Sequence, residues 1–269
     1  MNIEDREFHQ ICSFMHQNYG INLEKKRSLI EGRLSQVISA NGYPDFKSYT
    51  AAVIRDEKLQ QQMVTRLTTN FTFFHRESVH YDFMVKEAIP SLLRTYPHKS
   101  SLKLWSAGCS TGDEAYTASI YLRELSLLSK CAGSYLIHAT DISDRVLEQA
   151  KSGCFSEDSL KNLSPEIRRR YFTSLPDGRW KVSPLVADSV RFSKLNLMGS
   201  FPPTFRNFDI IFCRNVMIYF TPEIRESLSR KLYESLNPGG FLFIGMSENI
   251  PANQIGFKIM RPSVFRKEG

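Results

Sequence analysis

From residue 99 onward, short apolar runs alternate with longer amphipathic segments. The apolar runs are bounded by turn residues and predict strands at about 102–107, 135–140, 190–195, 208–213 and 241–245. The segments between them have helical spacing and predict helices at about 113–128, 143–151 and 222–236. Strands that alternate with helices predict a mostly parallel, doubly wound α/β sheet, and such sheets bind ligands at the carboxyl ends of their strands.

Two later segments depart from this alternation. Residues 173–190 include Pro176-Asp177-Gly178 and Pro184, which predict a small β-excursion from this pattern. The final segment, 256–266, predicts a closing hairpin. The expected domain is therefore a Rossmann-like sheet that carries one small β-subdomain.

The first part of the chain shows helical periodicity alone. Its apolar residues predict a small bundle, with Asp45 as the cap of the third helix and helices at about 5–18, 24–40, 45–54, 57–67 and 78–96. We therefore expect an N-terminal helical domain at 1–84, a linker helix at 85–98 and an α/β domain at 99–269, with its β-subdomain at about 173–190.

Composition argues against several kinds of site and partner. Five scattered cysteines without a CxxC pair, and six histidines without metal-ligand spacing, predict reduced thiols and no metal. No apolar run approaches the ~18 residues of a membrane span, so we expect no membrane insertion. The net charge of +7 is spread along the chain, which favours an acidic ligand or protein surface over nucleic acid.

The first predicted strand ends in the turn Gly108-Cys109-Ser110-Thr111-Gly112-Asp113-Glu114. Its glycines allow the backbone to approach a ligand, but no lysine follows the second glycine as a P-loop requires, and GxGxxG is absent. The acidic pair suits a ligand with a positive group, such as an α-amino group or a sulfonium, and would repel pyrophosphate. Alternatively, Asp113 and Glu114 are ordinary first-turn residues of a helix.

Polar residues also follow the second and fourth predicted strands. Asp141 is placed to accept hydrogen bonds from a ribose diol, although it could instead cap the next helix, a role for which Ser143 competes. Arg214 and Asn215 come directly after a buried apolar run, which is costly unless the strand opens into a site. Tyr219 nearby fits either that site or a core position with a hydrated hydroxyl.

The segment Thr68-Thr69-Asn70-Phe71-Thr72-Phe73-Phe74-His75-Arg76-Glu77 mixes polar and aromatic residues. It is too polar for a core helix and too aromatic for a fully solvated loop. We interpret it as a lid or pocket wall that crosses between the two domains. The alternative is a surface loop held down by its three phenylalanines.

Six motifs in order resemble those of the chemotaxis receptor methyltransferases, the CheR family, over nearly the whole chain. Each motif alone is weak, but the set in sequence, after a helical N-terminal part, is specific. The motifs are Asn70-x-Thr72-x-Phe74-x-Arg76, Trp105 to Gly112, Ala139-Thr140-Asp141-Ile142, Cys213 to Phe220, Pro238-Gly239-Gly240 and Ser247-Glu248-Asn249.

The resemblance implies a class I methyltransferase fold and S-adenosylmethionine as cofactor, with S-adenosylhomocysteine as product. It implies that Arg76 and Tyr219 lie near the transferred methyl group. The cofactor pocket, including the glycine of the first turn, would be lined by Asn70, Thr72, Arg76, Gly108, Glu114, Asp141, Asn196, Leu197, Arg214 and Asn215.

By the same resemblance, the substrate is a set of glutamate side chains on the cytoplasmic domains of methyl-accepting chemotaxis receptors. We expect a cytoplasmic monomer that is recruited to membrane-bound receptor arrays, with the N-terminal domain docking on the receptor and forming part of the cofactor lid. Two alternatives remain open: a methyltransferase that acts on another substrate, and a sensor that binds the cofactor without catalysis.

Three departures from the family pattern stand out. His75 replaces the second aromatic residue before the arginine, and Asp113-Glu114-Ala115-Tyr116 replaces Glu-Glu-Pro-Tyr. The helix that faces the receptor in relatives carries fewer basic residues here: Arg33 is matched, but few arginines follow it. The last departure concerns receptor recognition rather than methyl transfer.

Overall fold

A computed structural model describes residues 1–68, 70–129 and 134–268. The N-terminal part is a bundle whose apolar faces share one core, built around side chains such as Met15, Ile30, Leu34 and Tyr49. Its helices are α1 (Asp5–Tyr19), α2 (Arg27–Ala40), α3 (Phe46–Val53) and α4 (Glu57–Leu67). The predicted helices are therefore confirmed.

Side-chain caps explain where two of these helices begin. The Asp45 carboxylate accepts a hydrogen bond from the Ser48 amide, which confirms the predicted cap of α3. Asp56 does the same for α4 through the Lys58 and Leu59 amides. Each bond satisfies an amide that has no partner inside its helix.

The predicted helix at 78–96 consists of α5 (Val79–Phe83), a π-helical turn (Met84–Ala88) and α6 (Ile89–Thr95). Its buried face packs into the core of the α/β sheet through residues that include Tyr81, Met84 and Leu92. Because this face is buried against the sheet, the helix is fixed relative to the sheet, and it anchors the residues that precede it in the chain.

The α/β part forms a seven-stranded sheet in the order β6-β2-β1-β7-β8-β10-β9. Its strands are β1 (Ser101–Ala107), β2 (Ser134–Asp141), β6 (Val190–Lys194), β7 (Phe208–Cys213), β8 (Leu236–Ile244), β9 (Phe257–Arg261) and β10 (Val264–Lys267). The strands β1, β2, β6, β7 and β8 run parallel, and β10 runs antiparallel to both of its neighbours, β8 and β9. The mostly parallel sheet and the closing hairpin are therefore as predicted. The order reverses between β1 and β7, and ligands bind at such switch points. The remaining elements are α7 (Asp113–Ser129), α8 (Asp144–Ser152), β3 (Cys154–Phe155), α9 (Pro165–Tyr171), β4 (Phe172–Ser174), β5 (Trp180–Val182), α10 (Pro184–Ala187), α11 (Pro222–Ser235) and α12 (Ala252–Ile255).

The small β-excursion is larger than the sequence predicts. A hairpin of β4 and β5 is present, but the two-residue strand β3 pairs with β5 and completes a three-stranded antiparallel sheet. The added strand escapes prediction because two residues are too few to show a period. Strand β8 also begins earlier than predicted, since the backbone of Asn237-Pro238-Gly239-Gly240 already belongs to it.

Two further findings concern the described residues only. None of their helices combines the length and apolar character needed to cross a membrane. Four of the five cysteines are free thiols, whereas Cys131 lies outside the described residues.

Gly20 ends α1 in a left-handed conformation (φ 72°) at the contact between the two domains. A Cβ at this position would lie 2.6 Å from Met198 Sδ and 3.2 Å from Ile224 Cγ2. The substitution Gly20→Ala should lower the free energy of unfolding by about 1–2 kcal/mol through backbone strain, and by about 1 kcal/mol more through overpacking.

Gly42→Ala is the matched control in urea unfolding. Its φ is similarly positive (77°), but no atom lies within 4 Å of the added Cβ, so only the backbone strain should appear. Equal losses of unfolding free energy in the two variants would contradict a tight contact between the domains at Gly20.

Candidate functional site

A cavity opens at the carboxyl ends of β1, β2 and β7, at the switch point of the sheet. The end of α1, the end of α4 and the segment 70–76 close its other side. The structure brings all eleven predicted site residues together around this cavity: Asn70, Thr72, Arg76, Gly108, Glu114, Asp141, Asn196, Leu197, Arg214, Asn215 and Tyr219.

Arg214 is the central charged group of the site. It follows β7, and its side chain is only 2% exposed. Its Nη2 atom lies 3.0 Å from Glu77 Oε2, and its Nη1 atom lies 3.2 Å from Glu114 Oε2. Nη1 also donates a hydrogen bond to the Tyr81 hydroxyl at 3.0 Å. One guanidinium thus ties the end of β7 to the start of α7 and to the segment before α5.

The two carboxylates share this one cation, but their pKa values shift in opposite directions. Burial raises the pKa of Glu114 above its ordinary value, although Arg214 and the Ser106 hydroxyl lower it. For Glu77, burial is outweighed by the Arg214 guanidinium and by hydrogen bonds from Arg214 and Asn215, so its pKa is below the ordinary value. Glu77 is thus the carboxylate that stays ionised most readily.

The acidic pair at the start of α7 divides between two environments. Glu114 lines the cavity, and its carboxylate accepts hydrogen bonds from Ser106 Oγ (2.6 Å) and Arg214 Nη1. Asp113 is instead buried away from the cavity, where it accepts a hydrogen bond from Thr111 Oγ1 and burial raises its pKa to about 6. Only one of the two acids therefore faces a ligand.

Asp141 connects the ends of the first two strands. Its Oδ2 atom accepts the Ser110 amide at 2.9 Å, and its Oδ1 atom accepts the Ser143 amide at 3.0 Å. The N-cap position of α8 belongs to Ser143, which makes no side-chain cap bond. Each Asp141 oxygen keeps a further lone pair, so the carboxylate can also accept hydrogen bonds from a ligand diol.

Gly108 lets the first turn approach the end of β7. Its φ is 83°, and a Cβ would lie 2.5 Å from Val216 Cγ2. Ser110 then donates its hydroxyl to the Asn70 carbonyl at 3.1 Å, which fastens the turn to the opposite wall. The glycine therefore serves the close packing of the cavity walls as well as access for a ligand.

The segment from 70 to 77 forms the predicted wall, and Thr69 lies outside the described residues. Phe74 is fully buried against Phe155 and Phe172, whereas Phe71 is 67% exposed, so only one of the three rings anchors the segment in the core. His75 accounts for part of the remaining anchorage. Its backbone amide donates to Thr117 Oγ1, and its ring nitrogens lie at hydrogen-bond distance from Tyr121 and from the Asn162 carbonyl.

The helical domain supplies cavity residues that the sequence pattern did not reveal, namely Tyr19, Ile21 and Leu67. Hydrogen bonds secure this contact: Asn196 Nδ2 donates to the Asn18 carbonyl (2.8 Å), and the Asn22 amide donates to the Tyr219 carbonyl (3.0 Å). No local signal could have identified them, because they resemble ordinary core residues at helix ends.

Glu77 was also missed as a site residue. Its carboxylate contacts Arg214 and accepts a hydrogen bond from Asn215 Nδ2 at 3.3 Å, across more than a hundred residues of chain. The available signal was a charged residue at the end of an aromatic segment, which by itself does not identify a partner.

Comparison with known proteins agrees with this geometry. Residues 6–68 match the all-alpha domain of CheR methyltransferases, and residues 70–265 match their SAM binding domain. The chain belongs to the CheR family. It is therefore an S-adenosylmethionine-dependent chemotaxis methyltransferase with the expected two-part fold.

Individual relatives span almost the whole chain. The chemotaxis protein methyltransferase of Borreliella burgdorferi is 36% identical over 99% of this chain and 96% of its own length. That of Salmonella typhimurium is 35% identical over 92% of this chain and 85% of its own. Among solved structures, plantazolicin methyltransferase BpumL in complex with SAH is 14% identical with a TM-score of 0.35, covering 88% of this chain and 62% of that one.

The donor set of this CheR protein fits the cofactor. S-adenosylmethionine carries a ribose diol, which Asp141 can bind, and a zwitterionic amino-acid end, which Glu114 and Arg214 can bind. The apolar side chains of Ile142 and Leu197 line the cavity as well and suit the adenine ring. Metal-ligand clusters of three or more His, Cys, Asp or Glu side chains do not occur among the described residues.

Asp141→Ala should weaken binding of S-adenosylhomocysteine by roughly 1.5–3 kcal/mol, because it removes a charged acceptor for the ribose hydroxyls. Titration calorimetry would measure this loss. Asp144→Ala is the control, since that carboxylate pairs with Lys194 on the surface. Unchanged affinity in Asp141→Ala would remove this residue from the cofactor site.

Proposed function

We propose that this CheR protein transfers the methyl group of S-adenosylmethionine to glutamate side chains of chemotaxis receptors. The supporting observation is the contrast between the two arginines of the cavity. Arg214 forms ion pairs with Glu77 and Glu114. Arg76 instead donates a hydrogen bond to the Phe71 carbonyl (2.9 Å), and its guanidinium lies 5.9 Å from the centre of the Phe73 ring. Within the described residues, no carboxylate lies within 4.0 Å of the Arg76 guanidinium nitrogens, so its charge is available to an incoming carboxylate.

A glutamate substrate explains why the cavity needs no general base. A free glutamate has a pKa of about 4.3 and is already an ionised nucleophile at neutral pH. The cofactor supplies the methyl group, and the carboxylate oxygen bonds to it as the bond from sulfur to carbon breaks. The protein's task is then alignment and exclusion of water, and proximity of this kind can supply ~7–11 kcal/mol.

Arg76 and Tyr219 are the residues to which we assign this alignment. Both line the cavity, one from the segment before α5 and the other from the 3₁₀ turn after β7. The guanidinium fork can bind both oxygens of a carboxylate, and the tyrosine can donate a hydrogen bond to one of them. We expect orientation rather than a tight ion pair, because a tight pair would weaken the nucleophile.

The test is transfer of tritiated methyl groups to receptor-containing membranes, scored for counts that alkali releases. Glutamate methyl esters are labile to base, so most counts should be released. Counts that resist base would indicate a different acceptor group. Binding of S-adenosylhomocysteine without any transfer would favour the alternative of a non-catalytic sensor.

Arg76→Ala and Tyr219→Phe should each lower turnover by about 10–100-fold, the size of loss that a misplacement of about 1 Å can cause. The affinity for S-adenosylhomocysteine should fall much less, because both groups act on the carboxylate. Transfer assays and calorimetry on the same samples would separate the two effects. Equal losses in binding and turnover would make these residues part of the pocket wall instead.

Receptor docking is assigned to the N-terminal domain, around the basic run that precedes α2. Lys25 and Lys26 are exposed there. Arg27 pairs with Asp5, and Arg33 donates to the carbonyls of residues 66–68 at the end of α4. Arg33 thus stabilises the wall of the cofactor cavity, which leaves the two lysines as the cleaner probes of receptor contact.

The β-subdomain offers little room for a receptor peptide. Its strands β3, β4 and β5 are two or three residues long, and a peptide strand needs an open edge with pockets for alternate side chains. We therefore propose that the enzyme meets the methylation helices directly, without a tether at the receptor's C-terminus, while it is recruited from the cytoplasm to receptor arrays.

Receptors that lack their C-terminal tail should accordingly be methylated at nearly the full rate. Charge reversal at Lys25 and Lys26 should slow methylation, and added salt should slow the unmodified enzyme because exposed charges are screened. Lys86→Glu, an exposed position on the helix before the sheet, is the control. A large loss of rate on tail removal, with micromolar binding of the tail peptide, would overturn this proposal.

A further inference from the structure

Glu248 lies in the turn after β8, and its role is not explained by the contacts described so far. The residue is 9% exposed, and it does not line the cavity. Its Oε2 atom accepts the amides of Gly245 and Asn215, the latter at 2.9 Å, and its Oε1 atom accepts the Ile218 amide at 3.2 Å. Within the part of the chain that the structure describes, no lysine or arginine forms an ion pair with it. Backbone amides alone therefore compensate this buried carboxylate.

Two of the three amides that bond to Glu248, those of Asn215 and Ile218, belong to the loop that follows β7. Asn215 has a positive φ of 59°, a conformation that costs free energy for a residue with a side chain. Its amide bonds to Glu248 while its side chain donates to Glu77 at 3.3 Å, so the residue is held from two sides. Gly245 permits this approach, because a Cβ there would lie 2.7 Å from Asn215 Nδ2.

The same contacts determine where Tyr219 lies. The 3₁₀ turn Met217–Tyr219 begins two residues after Asn215, and the third hydrogen bond of Glu248 is accepted from Ile218, directly before the tyrosine. Both Asn215 and Tyr219 line the cavity. One buried carboxylate thus connects the end of β8 to two groups on the cavity wall.

We propose that Glu248 is a positioning residue for methyl transfer, which holds the loop 215–218 so that Asn215 and Tyr219 face the cofactor and the substrate carboxylate. The inference rests on the function proposed for Tyr219. A carboxylate is required because both of its oxygens accept backbone N–H groups. Glutamine has the same shape but would direct its own N–H₂ group at one of those donors.

The first measurement is hydrogen exchange in the peptide that covers residues 214–219. In Glu248→Gln, the amides of Asn215 and Ile218 should lose protection by about tenfold or more, since about 1.4 kcal/mol corresponds to tenfold. Asp209→Asn is the matched control. That carboxylate is also fully buried at β7, but at the opposite end of the strand, where it accepts the Lys103 amide (2.9 Å) and pairs with Lys99. The control should destabilise the fold and leave exchange at 214–219 unchanged.

The second measurement is turnover in a double-mutant cycle. Glu248→Gln should lower kcat by about 10-fold or more, whereas KM for S-adenosylmethionine should change less, because only the loop at the methyl-transfer end is released. In a Tyr219→Phe background, the factor by which Glu248→Gln lowers kcat should be at least about threefold smaller, since the two residues act together. Asp209→Asn should keep the kcat of the unmodified enzyme. Should Glu248→Gln not fold, Gly245→Ala keeps the glutamate but places a Cβ 2.7 Å from both Asn215 Nδ2 and Glu248 Oε2. It therefore disturbs the same contact and should give the same pattern.

Exchange at 214–219 like that of the unmodified enzyme would overturn the inference. So would an unchanged kcat, or an equal loss of kcat in the presence and absence of the Tyr219 hydroxyl. Failure of the proposed function is a separate result: it would appear as an absence of base-labile methyl groups with the unmodified enzyme. In that case the exchange measurement alone would still decide whether Glu248 holds the loop.

Discussion

The buried guanidinium of Arg214 is the constraint on which the site depends. A charge that is almost fully removed from water is costly unless it is paired and hydrogen-bonded, and loss of one partner of such a pair costs about 3–5 kcal/mol. Its two carboxylate partners come from separate parts of the chain, Glu114 from the start of α7 and Glu77 from the segment before α5. Satisfying this one group therefore fixes three walls of the cavity relative to one another.

Local backbone strain follows from the same requirement. His75 and Glu77 both adopt positive φ values (67° and 53°), which cost free energy and persist only where surrounding contacts determine them. The ring of His75 is held between Tyr121 and the Asn162 carbonyl, and the carboxylate of Glu77 is held by Arg214. The segment between the domains is thus a fixed wall, and Arg76 lines the cavity from this wall.

The helical domain contributes to the cofactor cavity as well as to the expected receptor contact. Arg33 stabilises the end of α4, where Leu67 lines the cavity, and the turn after α1 bonds to the backbone of Tyr219. Substitutions on this domain can therefore alter methyl transfer from within the site, even where no receptor is contacted. A basic residue on α2 is not by itself evidence of a docking surface.

The sequence by itself determined the order of the main helices and strands, because period and turn chemistry are local signals. The eleven site residues, which line one cavity, were indicated mainly by the resemblance of six motifs to those of the CheR family. The tertiary structure alone decided how those side chains are used. It paired Glu77 with Arg214, turned Asp113 away from the cavity, and added the two-residue strand β3 to the small sheet. These outcomes depend on contacts between residues far apart in the chain, and no local pattern encodes which buried charge will meet which partner.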